Sequence, residues 1–306
     1  MYAEVVHGTV SPSNHLTPMA MYSPISASER EYVRQGCECG IRADGRAAGD
    51  HRAVTVETGL LPHLNGSARV QVGSGTDVLC SIKVEVVPEE EGKGGSGPQL
   101  EVSVDFSPSC NLKLDERKLA DAGSLLSQHL QRILKDSLRG TESSFTTIVP
   151  GKCCWRLYVD LVITRIDGDP LDACSMAIYA ALHTTKIPRV ELLTGPSGLP
   201  TDFEVVGDVS AALDFPAEGV PLCVTFAKVG SVFIVDAASS EHFCASVALT
   251  VVLDRGGACC GMFKLHGQGS FSEQEIARAF SQARTMSPSL FTHLQAHLAE
   301  ARKRRE

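Results

Sequence analysis

Gly66-Ser67-Ala68-Arg69-Val70-Gln71-Val72-Gly73-Ser74-Gly75-Thr76-Asp77-Val78-Leu79-Cys80-Ser81-Ile82 reads as two strands and the turn between them. The first run alternates through Ala68, Val70 and Val72. The second, continued to Val87, alternates through Val78, Cys80, Ile82, Val84 and Val86. Successive side chains of a strand point to opposite faces, so a period of two gives each strand one apolar face. Gly73-Ser74-Gly75-Thr76 has the glycines of a phosphate-cradling loop, but it leads into a strand, and no helix N-terminus stands behind it. The alternation on both sides predicts a hairpin turn.

Before the hairpin, His51 to Thr58 alternates around Val54 and Val56 and predicts another strand. After it, Pro88 to Gln99 carries three consecutive glutamates and several glycines, a solvated loop from which Leu100 to Phe106 returns as a strand. Together these runs predict an antiparallel meander with one buried face. Further upstream, Ser28 and Glu31 have capping-box spacing for a short helix ending near Gly36. Downstream, a long helix is expected over Asp115 to Leu138, with Leu119, Ala122, Leu126, Leu130, Ile133 and Leu134 on one face. Trp155, Leu157, Val159, Leu161 and Ile163 then mark a strand. Asp169 as N-cap and Pro170 as first helical residue open a helix through Ala173, Ala177, Ala180 and Ala181, small residues that predict close packing.

The order then repeats. Strands are expected near 202–206, 221–228, 232–235, 245–253 and 258–265. Ser272 and Glu275 form another capping box, before Ile276, Ala279, Phe280 and Ala283, and a last helix starts at Ser287-Pro288 and ends in Arg302 to Arg305. Strands first and helices after, twice over, predict an α+β fold of two similar β-sheet-plus-helix halves in one compact domain over 28–300. Residues 1–27, where Ser and Pro recur without period, are expected to be a disordered tail, and 301–306 a basic C-terminal end.

A net charge of −8 argues against a protein that grips nucleic acid alone through a broad basic face; a few placed cations remain compatible with it. The eleven cysteines include no Cys-x2-Cys pair, and several lie in apolar strand-like runs, so buried reduced thiols are expected rather than disulfides or a metal centre. The sequence shows no apolar run of membrane-spanning length and no signal-peptide pattern, so a soluble, intracellular protein without a membrane role is expected.

Several segments jointly resemble one family. Arg42-Ala43-Asp44-Gly45-Arg46 is similar to the N-terminal Arg-x-Asp-Gly-Arg signature of RNase PH-type proteins, and Gly66-Ser67-Ala68 followed by Gly73 and Thr76 to their Gly-Ser-Ala…Gly-x-Thr hairpin. Trp155 to Asp160, Asp172-Ala173-Cys174, and Ala180-Ala181-Leu182 through Ile187-Pro188-Arg189-Val190 resemble the non-catalytic branch of the RNase PH-type ring subunits of the RNA exosome. The likeness covers about residues 28 to 300. It implies the RNase PH fold (ribosomal protein S5 domain 2-like). It also implies a six-membered ring of three heterodimers with other RNase PH-type subunits, S1/KH cap subunits on one face, and single-stranded RNA threading the channel. The implied role is structural support of 3'-to-5' RNA processing and degradation, including rRNA maturation and RNA turnover, in nucleus, nucleolus and cytoplasm.

Phosphorolysis needs cations for inorganic phosphate, cations for the RNA backbone, and an acid for the leaving oxygen. The resemblance implies a Gly-Gly-Thr-Arg-type turn at a helix N-terminus in active members. Here Gly168-Asp169-Pro170-Leu171 stands instead: the Arg is missing, Asp169 adds a negative charge and Pro170 removes a backbone donor. No catalytic residue, cofactor or metal is therefore expected. Asp208 and Asp214 have the six-residue spacing of the active branch's acidic pair, out of register by about one, and read as solvated loop carboxylates. Asp160, Asp167, Asp169 and Asp172 raise the question of a metal cluster, but one lies within a strand and one caps a helix. The resemblance makes Arg132, Lys135 and Arg139, at the far end of the first long helix, the candidate RNA contacts. The same cations also suit a solvated helix end that complements the macrodipole, and the C-terminal arginines read likewise. Two alternatives stay open: an active phosphate-dependent 3'-to-5' exoribonuclease, and a stand-alone binding protein unrelated to RNA.

Overall fold

The hairpin forms where the alternation places it. In the computed structural model, which describes residues 25–89, 99–110, 116–138, 147–149, 151–194 and 200–303, strand β1 (Val54–Thr58) pairs antiparallel with β2 (Gly66–Val72), and β2 with β3 (Thr76–Pro88). Val72 faces Thr76 across the turn, and Ala68, Val70, Val78, Cys80 and Ile82 are completely buried. The tail over residues 1–24 and most of the 88–99 loop lie outside the described residues.

The meander does not continue into the next strand. β4 (Gln99–Phe106) pairs in parallel with β6 (Cys153–Arg165), which enters between it and β3, and the sheet runs β1-β2-β3-β6-β4 with β5 (Thr147–Val149) also on β6. Helix α2 (Glu116–Ser137) supplies the crossover that a parallel pair requires. β6 takes the centre because Trp155, Leu157, Val159, Leu161 and Ile163 give it an unbroken buried face. Gly123 lets α2 lie close on β4: a Cβ there would stand 2.3 Å from the Val104 carbonyl oxygen.

Helix α3 (Leu171–Leu182) is the centre of the molecule, and all twelve of its residues are buried. It packs on β2 and β3 on one side and on β11 (Leu222–Val229) on the other. The small residues foreseen there allow that approach. Gly66 is its counterpart on the sheet: a Cβ on Gly66 would meet the Thr185 hydroxyl at 2.2 Å and the Ala181 carbonyl at 2.8 Å. Short pairs follow, β7 (Lys186–Ile187) with β10 (Leu213–Asp214) and β8 (Val190–Thr194) with β9 (Pro200–Val205). The second half is a four-stranded antiparallel sheet in the order β12 (Val232–Val235), β11, β13 (Ala245–Leu253), β14 (Cys259–Gly267). Helix α4 (Ser239–Cys244) links β12 to β13, and α5 (Glu273–Lys303) packs over β13 and reaches β1. One buried cluster runs from β2 through α3 to Cys223, Phe291 and Leu298, so the two halves share a core.

Three helix boundaries differ from the sequence reading; α3 starts at Leu171, with Pro170 and not Asp169 at the N-cap position. α1 covers Ala27–Glu38, and its cap is Ser26, whose hydroxyl accepts from the Glu29 amide, two residues before the Ser28–Glu31 box. Ser26 and Ser28 both offer a capping hydroxyl, and the earlier one is used. The Ser272–Glu275 box forms as expected, with the Glu275 carboxylate accepting from the Ser272 amide and the Ser272 hydroxyl from the Glu275 amide. No new helix starts at Ser287-Pro288: α5 runs through Pro288. Pro removes only one helical donor, and burial of Ala283, Ser287, Phe291 and Leu294 along one face holds both sides of the interruption together. Among the described residues, no helix is long and apolar enough to cross a membrane.

Candidate nucleic-acid interface and the anion position at helix α3

The turn that would receive an anion is closed from within. Gly168 has φ +88°, and a Cβ there would stand 1.9 Å from the Ala237 carbonyl oxygen, so the turn lies directly on the second half. The Gly168 amide donates to the Ser239 hydroxyl at 3.2 Å. The Leu171 amide, first of α3, donates to Asp169 Oδ1 at 2.9 Å. The expected cap is displaced by one residue: Pro170 takes the N-cap position and offers no N–H, Leu171 is the first helical residue, and Asp169, one residue earlier than a cap, still binds the Leu171 amide. A carboxylate of the chain itself holds the position where helix amides otherwise meet a phosphate.

The cations nearby are already matched. The Arg-x-Asp-Gly-Arg stretch places Arg42 against Glu241 of α4 in a bidentate pair, Nε to Oε1 at 2.8 Å and Nη2 to Oε2 at 2.7 Å, with both side chains 1–2% exposed. The remaining Arg42 donors go to the carbonyls of Ala47, Asp50, Val235 and Asp236. Asp236, with φ +49°, accepts from Arg46 Nη1 at 3.0 Å and from the Arg52 amide, Nε and Nη2 at 2.9, 2.8 and 2.6 Å. Burial works against its charge, but the bonds from Arg52 and the charges of His51 and Arg52 hold its carboxyl well below the usual range. Arg52 also reaches Asp167 Oδ2 at 2.7 Å, and Asp167 Oδ1 accepts from Ser239 N at 2.8 Å. Thr76, from the hairpin, binds the Asp167 backbone through both its carbonyl and amide. The Gly73–Thr76 turn is therefore a hairpin turn that also braces the α3 loop. Nothing in the local spacing signalled these pairings, since Arg42 and Glu241 are 199 residues apart.

Beneath this layer lies a buried titratable group of four. Asp172 accepts from the Thr225 amide and hydroxyl at 2.8 and 2.7 Å, and burial pushes its carboxyl up to about 8 against those bonds. Burial likewise raises Asp169 to about 6, and lowers His242 to about 3 and His266 to about 4. The four aspartates weighed as one cluster do not assemble. Asp160 is exposed on β6, Asp167 serves Arg52 and Ser239, Asp169 binds the first amide of α3, and Asp172 serves Thr225.

The expected RNA-facing cations are on α2. Arg132 and Lys135 are exposed in its last turns; Arg139 lies outside the described residues, as do Arg304 and Arg305. α2 is held against the second half by His129, whose ring stacks on Phe263 of β14 at 4.7 Å and 4°. Asp208 and Asp214 are both exposed. Asp208 binds the Ser210 hydroxyl and amide beside a groove of about 580 Å³ that Lys186 also lines, and Asp214 sits opposite Lys186 in the short β7–β10 pair. The eleven cysteines are all free thiols. Cys174 and Cys223 are fully buried, and burial raises both thiols well above their usual range.

Both domains of the 3' exoribonuclease family are present in order: RNase PH domain 1 matches residues 50–188 and domain 2 matches residues 219–286. A Dictyostelium discoideum protein described as a putative exosome complex exonuclease RRP42 is 32% identical, over 78% of this chain and 87% of its own length. The exosome complex component Rrp42 of Sulfurisphaera tokodaii is 30% identical over 95% of this chain and 99% of its own. In structure the chain is similar to a chain of the Archaeoglobus fulgidus exosome solved with RNA at the active site: TM-score 0.68 and 21% identity, covering 87% of this chain and 97% of that one. The chain belongs to the RNase PH (3' exoribonuclease) family, among the Rrp42-type exosome components.

Proposed function

We propose that this protein is a catalytically silent subunit of the exosome core ring, which shapes the channel through which single-stranded RNA reaches nucleases. The observation that carries the silent role is Asp169. Its carboxylate takes the first amide of α3, Pro170 removes another donor, and the neighbouring arginines Arg42, Arg46 and Arg52 are committed to Glu241, Asp167 and Asp236. An incoming phosphate would find the first amide of α3 already taken and the residue before it without an N–H, where it needs free donors. The ring role rests on likeness to Rrp42-type exosome components over most of the chain. Its partners in this reading are other RNase PH-type subunits and S1/KH caps, with rRNA maturation and RNA turnover as the processes served, in nucleus, nucleolus and cytoplasm.

Exposed Leu192, Leu193, Val205 and Leu213 on the short strand pairs give the isolated chain apolar surface that a ring neighbour can cover. Co-expression with the catalytic-branch RNase PH subunits of its own source is the test. A complex of ring size on a sizing column supports the proposal; a monomer that ignores those subunits sinks it. The active-enzyme reading would need a phosphate site beside exposed Asp208 and Asp214, where Lys186 is the sole cation among the described lining residues of the groove.

A further inference from the structure

We infer that Asp169, His242 and His266 form a structural site for a divalent transition-metal ion of the zinc class, clamping the two halves of the fold together. Asp169 comes from the loop between β6 and α3, His242 from α4 and His266 from β14. One donor atom of each lies within 4.8 Å of the other two, and His266 Nε2 is 3.9 Å from Asp169 Oδ2. Ligand atoms about 2.0–2.2 Å from a tetrahedral zinc stand roughly 3.3 Å apart, so small side-chain rotations close the set. Two imidazoles and a carboxylate suit that ion class.

Two independent observations point to a ligand. First, His266 is 7% exposed, and its Nε2, directed at Asp169, has no hydrogen-bond partner. A buried ring nitrogen left so is destabilising, and a metal bond removes that cost. Second, Asp169, its side chain 12% exposed, and Asp172, 6% exposed, have no Lys or Arg ion pair among the described residues, unlike Asp236, which Arg46 and Arg52 neutralise. A divalent cation at the triad supplies the positive charge that Asp169 lacks. A cavity of about 10 Å³ lined by Asp169, Asp172 and His242 adjoins it, roughly the room one water needs as fourth ligand. The site stands at the anion position of the closed turn, yet it does not depend on the ring role: a chain that never joins a ring can still hold the ion.

The test uses the untagged full-length chain, stripped with chelator and titrated with zinc chloride against a chromophoric chelator. One zinc per chain is expected. X-ray absorption at the zinc edge should show two imidazole ligands, a result that needs no variant. His266→Gln and Asp169→Asn, each checked for folding by circular dichroism, should weaken binding by at least roughly 10- to 100-fold, the cost already seen for outer-shell changes. The surface pair His293 and His297, with Nε2 atoms 3.2 Å apart on α5, is the competing zinc site, so His293→Ala should leave the stoichiometry unchanged. Absence of stoichiometric zinc overturns the inference. So does its loss in His293→Ala with retention in folded His266→Gln.

Discussion

Asp236 shows how a single residue organises this region. Its backbone is left-handed, φ +49°, and its carboxylate gathers Arg46, Arg52 and the Arg52 amide while 8% exposed. Asp236→Asn removes one partner of a buried ion pair and is expected to destabilise by roughly 3–5 kcal/mol in denaturant titration at neutral pH. The effect has a pH signature. The folded-state carboxyl is held below its unfolded value, so its stabilisation is fully present above the unfolded value of about 3.9 and is lost as pH falls through the folded one. The gap between wild type and Asp236→Asn should therefore be constant from neutral pH down to about 4 and narrow below it. A gap independent of pH down to the acid transition would mean that Asp236 acts by shape and not by charge. Residues of this kind were hidden in the sequence. Arg42, Asp44 and Arg46 could be quoted as a motif, but their partners Glu241 and Asp236 lie about 190 residues on, where no local period points to them.

At the scale of elements, what local chemistry decides was readable and what long-range pairing decides was not. The β2–β3 hairpin, β13 and the Ser272–Glu275 cap follow from alternation and capping, which act over a few residues, and they form at or within two residues of the expected places. The position of β6 between β3 and β4 is a choice among apolar strands, made by core burial that alternation does not rank. Pro288 misled for a related reason: the residue breaks an isolated helix, but α5 is held on both sides by a common buried face. Pro288→Ala restores the missing donor and relieves the ring's clash with the preceding turn, and should stabilise by roughly 1–3 kcal/mol. Thermal melting reads this directly. An unchanged or lower midpoint would show that the interruption is needed for the fit of α5 over β13 and β1. The candidate site divides the same way. That Asp169 stands at the start of α3 was legible to within one residue, whereas its approach to His266 depends on how β14 docks and was not.

At the scale of the whole molecule, the proposed ring role asks a chain of net charge −8 to meet RNA through a few cations while its ring partners supply the rest. Arg132 and Lys135 project from the last turns of α2, whose direction the His129–Phe263 stack fixes. Replacing Arg132, Lys135 and Arg139 together by Glu should weaken RNA retention by the assembled ring severalfold and flatten its salt dependence. Ring formation should be unaffected. Equal retention at all salt concentrations would return these cations to the role of a solvated helix end.

The most direct measurement is phosphorolysis by the purified chain alone, given single-stranded RNA and inorganic phosphate, beside a ring built with its catalytic-branch partners. With Asp169 holding the first amide of α3 and Pro170 lacking one, the chain alone should release no nucleoside diphosphate at any phosphate concentration, whatever the ring does. Phosphate-dependent release of nucleoside diphosphates by the isolated chain would contradict the account and make the protein an enzyme.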